Sequence, residues 1–208
     1  MAKVLYVKAN PKTDDMSFSA RLANTFLDAY QTEHPEDTVE MLDLYNTYLP
    51  LIDGDVLSGW GKLAAGAELT GEETKKVTRL GELVDQFLAA DKVVFSAPMW
   101  NFGFPPLMKA YIDAIAVAGK TFKYTENGPV GLSGDKKVVL LEARGGVYSE
   151  GPATSMEHTQ SYLKAVLSFL GVQDFTLVVA EGMAAAPAEG EAIFTASAEK
   201  AKEAAKNF

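Results

Sequence analysis

The chain has 208 residues, of which 48% are hydrophobic and 23% are charged. This length suffices for one domain with a sizeable core, over residues 1–208, and the composition argues against a disordered chain. There is no cysteine, which excludes disulfides and thiolate metal sites, and a net charge of −9 without a basic cluster argues against nucleic acid or anionic lipid as a partner. No signal-peptide core or membrane span of ~20 apolar residues is evident, so we expect a cytoplasmic protein with no membrane partner.

Apolar runs of strand length alternate with segments of helical period from the amino terminus onward. The first run, KVLYVKA (3–9), has the composition of a buried strand, and TVEMLDL (38–44) alternates and predicts a second strand. Between them, SARLANTFLDAY predicts a helix with one apolar face. The residues of that face are Leu22, Ala23, Phe26, Leu27 and Tyr30.

The middle of the chain continues the alternation. Residues 53–90 predict two helices, separated near GEETKK, where Gly71 and the acidic pair after it suit a helix start. KVVFSAP (92–98) predicts a third strand, followed by a helix over about 105–118. In TFKYTENGPVGL, the Asn127-Gly128 dipeptide is a strong signal for a β-hairpin.

The last third of the chain predicts two further strands, at 136–143 and 175–182, on either side of a helix over 154–170. An alanine-rich final helix over 184–205 carries regularly placed Glu and Lys. We expect this helix to face solvent.

Five strand–helix repeats predict an α/β fold, a doubly wound parallel sheet covered by helices on both faces. Right-handed crossovers favour the flavodoxin-like strand order 2-1-3-4-5, with the hairpin inserted after the third-strand helix. In this architecture ligands bind outside the carboxyl ends of the strands, at the switch point between the first and third strands. We therefore expect a ligand near the loops that follow Ala9, Ser96 and Ala143.

The first of these loops, NPKTDDMSFSARL, places Ser17 and Ser19 at the start of a helix. Free backbone N–H groups and the helix dipole favour an anion there, and hydroxyls add donors, so a phosphate could be held without an arginine. The alternative is that Ser19 is only an N-cap.

The second loop, MWNFGF, places aromatic residues just beyond a core strand, where a connecting loop normally has polar ones. Trp100 and Phe102 could present a flat apolar wall, and Asn101 could offer an amide. The alternative is that these aromatics cap the core or fill a dimer contact. Pro105 and Pro106 begin the next helix, where a missing N–H costs nothing.

The third loop, ARGGVYSEG, contains Gly145-Gly146, whose backbone can approach a ligand closely because no Cβ intervenes. Arg144 adds a cation and Tyr148 a ring. The alternative is an ordinary flexible turn from strand to helix.

The strand order brings all three loops to one cleft, and their combined chemistry fits a phosphorylated, flat, heteroaromatic ligand. A flavin mononucleotide matches this description best. No G-x-G-x-x-G follows the first strand, which argues against a dinucleotide site. The two histidines, His34 and His158, stand alone, and no G-x-S-x-G is present, which disfavours a zinc site and an α/β-hydrolase.

Over nearly its full length the chain resembles the FMN-dependent NADH-azoreductases, which are also NAD(P)H:quinone reductases. The most specific matches are SAPMWNFGFPPLMKAYID, GKTFKYTENGPVGL and ARGGVY. The resemblance implies a flavodoxin-like homodimer that binds FMN, oxidises NADH, with NADPH as the alternative, and reduces quinones and azo compounds by two electrons in ping-pong fashion.

The resemblance also assigns residues. The phosphate would be held by the 17–19 segment, the ribityl chain and ring by the 99–102 segment, and the pyrimidine side by Arg144 and the two glycines after it. Phe122 would be delivered towards the flavin of the partner subunit. Many relatives have Ser or Asn at the position of Ala143, so a side-chain hydrogen bond to the flavin is lost or moved here. The residues expected at the cofactor are Ser17, Phe18, Ser19, Pro98, Met99, Trp100, Asn101, Phe102, Ala143, Arg144, Gly145, Gly146 and Tyr148.

No proton-transferring residue is assigned; Arg144 is a candidate electrostatic stabiliser, with backbone donors expected to dominate. Two other classes of function remain open at this point. A flavodoxin-type carrier would pass single electrons to a protein partner, and a flavin- or nucleotide-sensing protein would bind the ligand with negligible turnover.

Overall fold

A central sheet of five parallel strands organises the fold in the computed structural model, which describes residues 1–208. In chain order these strands are β1 Lys3–Lys8, β2 Thr38–Asp43, β3 Lys92–Pro98, β6 Lys137–Arg144 and β7 Asp174–Glu181. The remaining two strands, β4 Phe122–Thr125 and β5 Gly128–Gly131, form a separate antiparallel hairpin. The helices are α1 Phe18–Glu33, α2 Gly54–Ala64, α3 Gly71–Ala89, α4 Pro106–Ile115, α5 Gln160–Phe169 and α6 Gly190–Asn207.

The strand order in the sheet is β2-β1-β3-β6-β7. With the hairpin strands left out of the numbering, this is the predicted order 2-1-3-4-5, so the prediction is confirmed. The register pairs Lys8 with Ser96 and Pro98 with Ala143. The carboxyl ends of β1, β3 and β6 therefore meet at one edge of the sheet.

Alternate residues of the buried strands point into two separate cores, one on each face. In β6, Val138 and Leu140 pack with α3, α4 and α5, whereas Val139 and Leu141 pack with α1 and α6. Since side chains alternate across a strand, a central strand covered on both faces must be apolar throughout. This accounts for the continuous apolar runs in the sequence.

The expectation that the last helix faces solvent is wrong for one of its faces. Ala201 and Ala205 are fully buried in the core that α6 shares with α1, and Ala198 is 7% exposed. The small side chains allow the two helices to approach each other, so the alanine content reflects packing as well as helix propensity.

The predicted helix over 154–170 begins too early. Residues Pro152–Met156 form a 3-10 helix, and α5 starts only at Gln160. The carboxylate of Glu157 accepts hydrogen bonds from the backbone N–H groups of Thr159, Gln160 and Ser161, and it thereby occupies the free donors of a new helix start.

The predicted helix over 105–118 ends too late. The hydroxyl of Thr121 donates to the carbonyl of Ile115 and accepts the N–H of Val117. These bonds replace the next helical turn, so α4 stops at Ile115.

The hairpin of β4 and β5 is fixed to the body of the protein through an unusually close backbone contact. A Cβ atom on Gly131 would lie 2.1 Å from the backbone nitrogen of Gly171, just beyond α5. The N–H of Ser133 also donates to the carbonyl of Leu170 at 2.9 Å. Only glycine fits at position 131, and this contact determines where the hairpin sits.

The helices of the structure are all too short or too polar to cross a membrane.

Candidate functional site

A cleft of about 300 Å³ lies at the carboxyl edge of the sheet, where the fold rule places a ligand. Although the chain has nine more acidic than basic residues, no Asp or Glu lines this cleft. The lining residues are Asn10, Lys12, Met16, Ser17, Phe18, Ser19, Pro98, Met99, Trp100, Ala143, Arg144, Gly145, Met183 and Ala184. A cleft without carboxylates in an acidic protein favours an anionic ligand.

The amino terminus of α1 forms the polar end of the cleft. The Nδ2 of Asn10 donates to the hydroxyl oxygen of Ser17 at 2.7 Å and lies 3.4 Å from that of Ser19. The two hydroxyls are 3.1 Å apart. Ser17, rather than Ser19, is the N-cap, because its hydroxyl accepts the N–H of Ala20. The alternative that Ser19 is only a cap is therefore wrong, and both hydroxyls belong to one buried donor cluster that could hold a phosphate.

The loop after β3 forms the second wall and has a strained backbone. The N–H of Trp100 donates to the carbonyl of Gly103, and the N–H of Gly103 donates back, which closes a tight turn. Inside it, Asn101 and Phe102 have φ angles of 48° and 69°. Such left-handed conformations are rare for a bulky residue like Phe and cost on the order of 1–3 kcal/mol each. Trp100 and Phe102 remain 39% and 43% exposed, so these aromatics face outward and do not cap the core.

The loop after β6 forms the third wall, and Gly145 and Gly146 lie in it. A Cβ on Gly145 would lie 3.1 Å from the Cβ of Ala184, and one on Gly146 would lie 3.1 Å from the ring of Tyr148. The carbonyl of Gly145 accepts the N–H of Ala184 at 2.8 Å. By contrast, the N–H groups of both glycines have no acceptor within the protein. Tyr148 also contacts the ring of Phe102, with centroids 6.1 Å apart, so the second and third walls touch.

Arg144 does not present its charge to the cleft, contrary to its interpretation as a direct electrostatic stabiliser. Its side chain is completely buried and pairs with Glu142 at 2.7 Å. Side chains alternate along β6, so Arg144 points to the α5 face while Ala143 points to the cleft. Only the main chain of Arg144 can reach a ligand. Burial lowers the pKa of the guanidinium, but Glu142 and its neighbours outweigh this and raise the pKa above its usual value.

Phe122 is also placed differently from the expectation. It is 8% exposed and belongs to the core, with its ring 4.6 Å from that of Phe169 and 5.4 Å from that of Tyr124. A buried ring cannot project from the hairpin towards a partner subunit. The large hydrophobic side chains exposed on the hairpin strands are instead Tyr124, at 73%, and Val130.

The sequence predictions did not include several of the lining residues. Asn10 and Lys12 precede the predicted serines in the same loop, so their position after the first strand was a signal for them. Met183 and Ala184 follow β7, the neighbour of β6 in the sheet. Since parallel strands all end at the same edge, the loop after the fifth strand was open to the same inference as the three loops considered.

The arrangement suits a ligand with a phosphate at one end and a flat ring system at the other. Hydroxyls and the α1 amino terminus would take the phosphate, and Lys12 adds the one flexible cation of the lining. The N–H groups of Asn101, Phe102, Gly145 and Gly146 have no internal acceptors and could donate to ring heteroatoms. No side chain in the lining can act as a strong acid or base, so the ligand itself must supply the chemistry.

Comparison with protein families decides the classification. A family model described as flavodoxin-like fold matches residues 2–205. The chain belongs to the flavodoxin-like fold family. The sheet order and the position of the cleft are those of this fold, and the carboxyl-edge site is the one in which flavodoxin-like folds bind their ligands.

Individual relatives of this flavodoxin-like chain match it from end to end. Proteins of Staphylococcus haemolyticus and Geobacillus kaustophilus, each named FMN-dependent NADH:quinone oxidoreductase, are 52% identical over the whole of both chains. A crystal structure of azoreductase from Bacillus anthracis (strain Sterne) is 47% identical, with a TM-score of 0.94 and full coverage of both chains. An FMN-dependent NADH-azoreductase of B. anthracis (strain Ames Ancestor) in complex with FMN is 37% identical, with a TM-score of 0.95, 100% coverage of this chain and 99% of the other.

Proposed function

We propose that this protein is an FMN-dependent NADH:quinone oxidoreductase that also reduces azo compounds. The observation that carries the proposal is the cleft: it has no carboxylate, it begins at a cluster of hydroxyl donors on a helix amino terminus, and it ends between exposed aromatics and free amides. Two relatives that are 52% identical over the whole of both chains are named FMN-dependent NADH:quinone oxidoreductase, which supports the same activity here.

Three groups of residues would hold FMN. Ser17, Phe18 and Ser19 lie at the amino terminus of α1, where hydroxyls and free N–H groups suit the phosphate dianion. The segments Pro98 to Trp100 and Ala143 to Gly145 line the remaining length of the cleft and suit the ribityl chain and ring. The other predicted residues of these loops, Asn101, Phe102, Gly146 and Tyr148, lie beside this lining and would contact the outer part of the ligand. Ala143 offers no side-chain donor, so the adjacent glycine amides would supply the hydrogen bonds at the pyrimidine side.

Bound FMN would supply hydride chemistry, accepting two electrons from NADH and giving them to a quinone or azo compound that takes the place of the nicotinamide. The protein would orient the ring and stabilise negative charge on it through the N–H groups of Gly145 and Gly146. Trp100 and Phe102 would provide an apolar surface for flat substrates. NADPH is the alternative reductant, but no basic pair for a 2′-phosphate lies in the cleft.

A homodimer in the cytoplasm is part of the proposal. Exposed leucines on and before α2, together with Tyr124 and Val130 on the hairpin, are apolar side chains that a second subunit would cover. The exposed leucines are Leu51, Leu57 and Leu63. A cytoplasmic location would give the enzyme access to NADH.

The test is to purify the full-length chain, record its absorption spectrum, and add NADH and then a soluble quinone without oxygen. We expect flavin bands that bleach with NADH and return with quinone, with sustained turnover at steady state. Bands that NADH does not bleach, with no turnover, would support a one-electron carrier that needs its own reductase, or a flavin sensor. A chain that stays colourless and is not reconstituted by FMN would overturn the proposal.

Ser17→Ala tests the phosphate end of the cleft, with riboflavin as the comparison ligand. Because riboflavin lacks the phosphate, we expect it to bind more weakly than FMN to the unaltered chain, and we expect Ser17→Ala to reduce this preference. Equal binding of FMN and riboflavin by the unaltered chain would contradict the phosphate assignment.

A further inference from the structure

A buried ionic cluster lies behind the third wall of the cleft, on the side away from the ligand. Arg144 pairs with Glu142 at 2.7 Å, and its nitrogens lie 3.5 Å from Glu157 and from Glu181. The side chains of Arg144 and Glu142 are 0% exposed, and those of Glu157 and Glu181 are 12% and 14% exposed. We call these four residues the Arg144 cluster.

Each outer carboxylate of the cluster holds a different part of the loop that follows β6. Glu181 accepts the N–H groups of Tyr148 and Ser149 at 3.0 and 3.3 Å, and it accepts the Ser149 hydroxyl. Glu157 accepts the N–H of Gln160 and so caps the start of α5. The two carboxylates that hold the beginning and the end of this loop therefore both form ion pairs with one guanidinium, each at 3.5 Å.

The cluster also connects to the second wall. His158, next to Glu157, donates its N–H to the carbonyl of Phe102 at 3.0 Å. Phe102 is one of the two residues with a positive φ in the tight turn. A shift of Glu157 would therefore move both the glycine loop and the aromatic turn.

The charges explain why a single cation is needed at this position. One guanidinium faces three carboxylates, and burial raises the pKa of Glu142 in spite of its bond to Arg144. Arg144 donates a hydrogen bond to Glu142, and the other two carboxylates lie 3.5 Å from its nitrogens as ion pairs. The planar guanidinium spreads its charge and its N–H groups towards all three carboxylates, which an ammonium group cannot reproduce. Without the guanidinium, the three carboxylates would repel one another and the loop would lose its common attachment.

We propose that Arg144 is a positioning residue, whose buried guanidinium holds the 145–159 loop and the 100–103 turn in the arrangement that presents free N–H groups to the cleft. The consequence for FMN rests on the proposed function. The effect on the loop does not depend on it and can be measured without flavin.

The test compares Arg144→Lys with Arg79→Lys, a control arginine on α3 that pairs with Glu82 at 2.7 Å and does not line the cleft. Lysine keeps the charge at both positions, so both variants should fold, as monitored by circular dichroism and melting temperature. In the flavin-free full-length chain, we expect Arg144→Lys to speed proteolytic cleavage within residues 145–159 and Arg79→Lys to leave it unchanged. In the FMN-loaded enzyme, we expect Arg144→Lys to lower kcat/KM by roughly tenfold to a hundredfold.

Two outcomes would overturn the proposal. In the first, the 145–159 loop of Arg144→Lys is as protected as that of the unaltered chain. In the second, cleavage increases throughout the chain in step with a lower melting temperature, which would mark Arg144 as a residue of general stability. If the unaltered chain binds no FMN, the proposed function fails, but the proteolysis result still decides the role of Arg144.

Discussion

At the scale of single residues, Asn10 determines how the phosphate end of the cleft is organised. Its amide donates to the hydroxyl oxygen of Ser17, and its carbonyl oxygen accepts the N–H of Lys12 at 3.0 Å. The side chain is 4% exposed, so it holds the serines from within the protein. Because the oxygen of the Ser17 hydroxyl accepts this hydrogen bond from Asn10, the hydroxyl can direct its proton outward to an anion.

We predict that Asn10→Ala weakens FMN binding by roughly tenfold, a cost of about 1.4 kcal/mol, because the two serine hydroxyls lose the hydrogen bonds that hold them in place for the phosphate. Fluorescence titration of the flavin-free chain measures this change. Lys12→Ala is the comparison variant, since it removes a cation but leaves the serines in place; its effect should diminish as salt rises, whereas that of Asn10→Ala should not. An Asn10→Ala chain with unaltered affinity would show that the serines need no support.

The residue scale is also where prediction from sequence failed. Ser17, Ser19 and Gly145 do line the cleft, and the sequence could indicate them because helix starts and glycines have local signals. Arg144 and Phe122 were assigned to the ligand and to a partner, yet both are buried. Whether a side chain points into the protein depends on strand alternation and on distant packing partners, such as Glu157 and Phe169, which no local pattern reveals.

At the scale of elements, the start of α3 is joined to α2 through Glu73. Its carboxylate accepts Lys62 at 2.8 Å, the Ser58 hydroxyl at 2.7 Å and the N–H of Thr70 at 2.7 Å. The hydroxyl of Thr70 accepts the N–H of Glu73 in return, which completes a capping box. Lys62 first, and then the Thr70 N–H and the Ser58 hydroxyl, lower the pKa of Glu73 from 4.5 to about 2.

We predict that Glu73→Gln lowers the melting temperature at pH 7 and that this difference from the unaltered chain shrinks as the pH falls. The pKa of Glu73 is lowered in the folded state, so its stabilisation is complete above pH 4.5 and is lost towards pH 2. Thermal unfolding at pH 7, 5 and 3 measures the trend. The exposed neighbour Glu72 supplies the control Glu72→Gln, for which no such convergence is expected. A constant difference between Glu73→Gln and the unaltered chain at all three pH values would contradict the assignment.

The sequence predicted which elements form better than it predicted where they end. The five sheet strands have the apolar runs that a doubly wound fold requires. A hairpin forms where Asn127-Gly128 indicated one, with Glu126 and Asn127 in its turn and Gly128 as the first residue of β5. Helix ends depended on single side chains: Glu157 starts α5 late and Thr121 stops α4 early. Each of these helix ends depends on hydrogen bonds from one side chain, and the hydrophobic periodicity of the sequence carries no information about such bonds.

At the scale of the whole molecule, bound FMN should stabilise the folded chain. The proposed ligand would contact loops that follow β1, β3 and β6, three separate strands of the sheet. A ligand that binds the folded chain alone stabilises it, by about 2.7 kcal/mol at a concentration one hundred times its Kd.

We predict that saturating FMN raises the melting temperature of the flavin-free chain by about 5–10 °C, since each kcal/mol corresponds to roughly 2–4 °C in a chain of this length. Scanning calorimetry with and without FMN measures the shift. Ser17→Ala should show a smaller shift at the same FMN concentration. An unchanged melting temperature would be inconsistent with binding across the three loops.

Leu57 offers a test of the proposed dimer. This side chain on α2 is 60% exposed. We predict that the unaltered chain sediments as a dimer and that Leu57→Glu sediments as a monomer in dilute solution, because a charge in an apolar contact is costly to desolvate. Ala196→Glu makes the same change of charge on the exposed side of α6 and should leave the dimer intact. A monomeric unaltered chain would exclude the dimer.

The close contact between Gly131 and Gly171 has a consequence for how a second subunit could be oriented. Because the two backbones are in direct contact, the hairpin cannot rotate against the body, and its direction relative to the body is fixed. Whatever docks on Tyr124 and Val130 is therefore aligned by geometry already present in the isolated chain. Replacing either glycine would change the direction of the hairpin and, with it, the way two copies face each other.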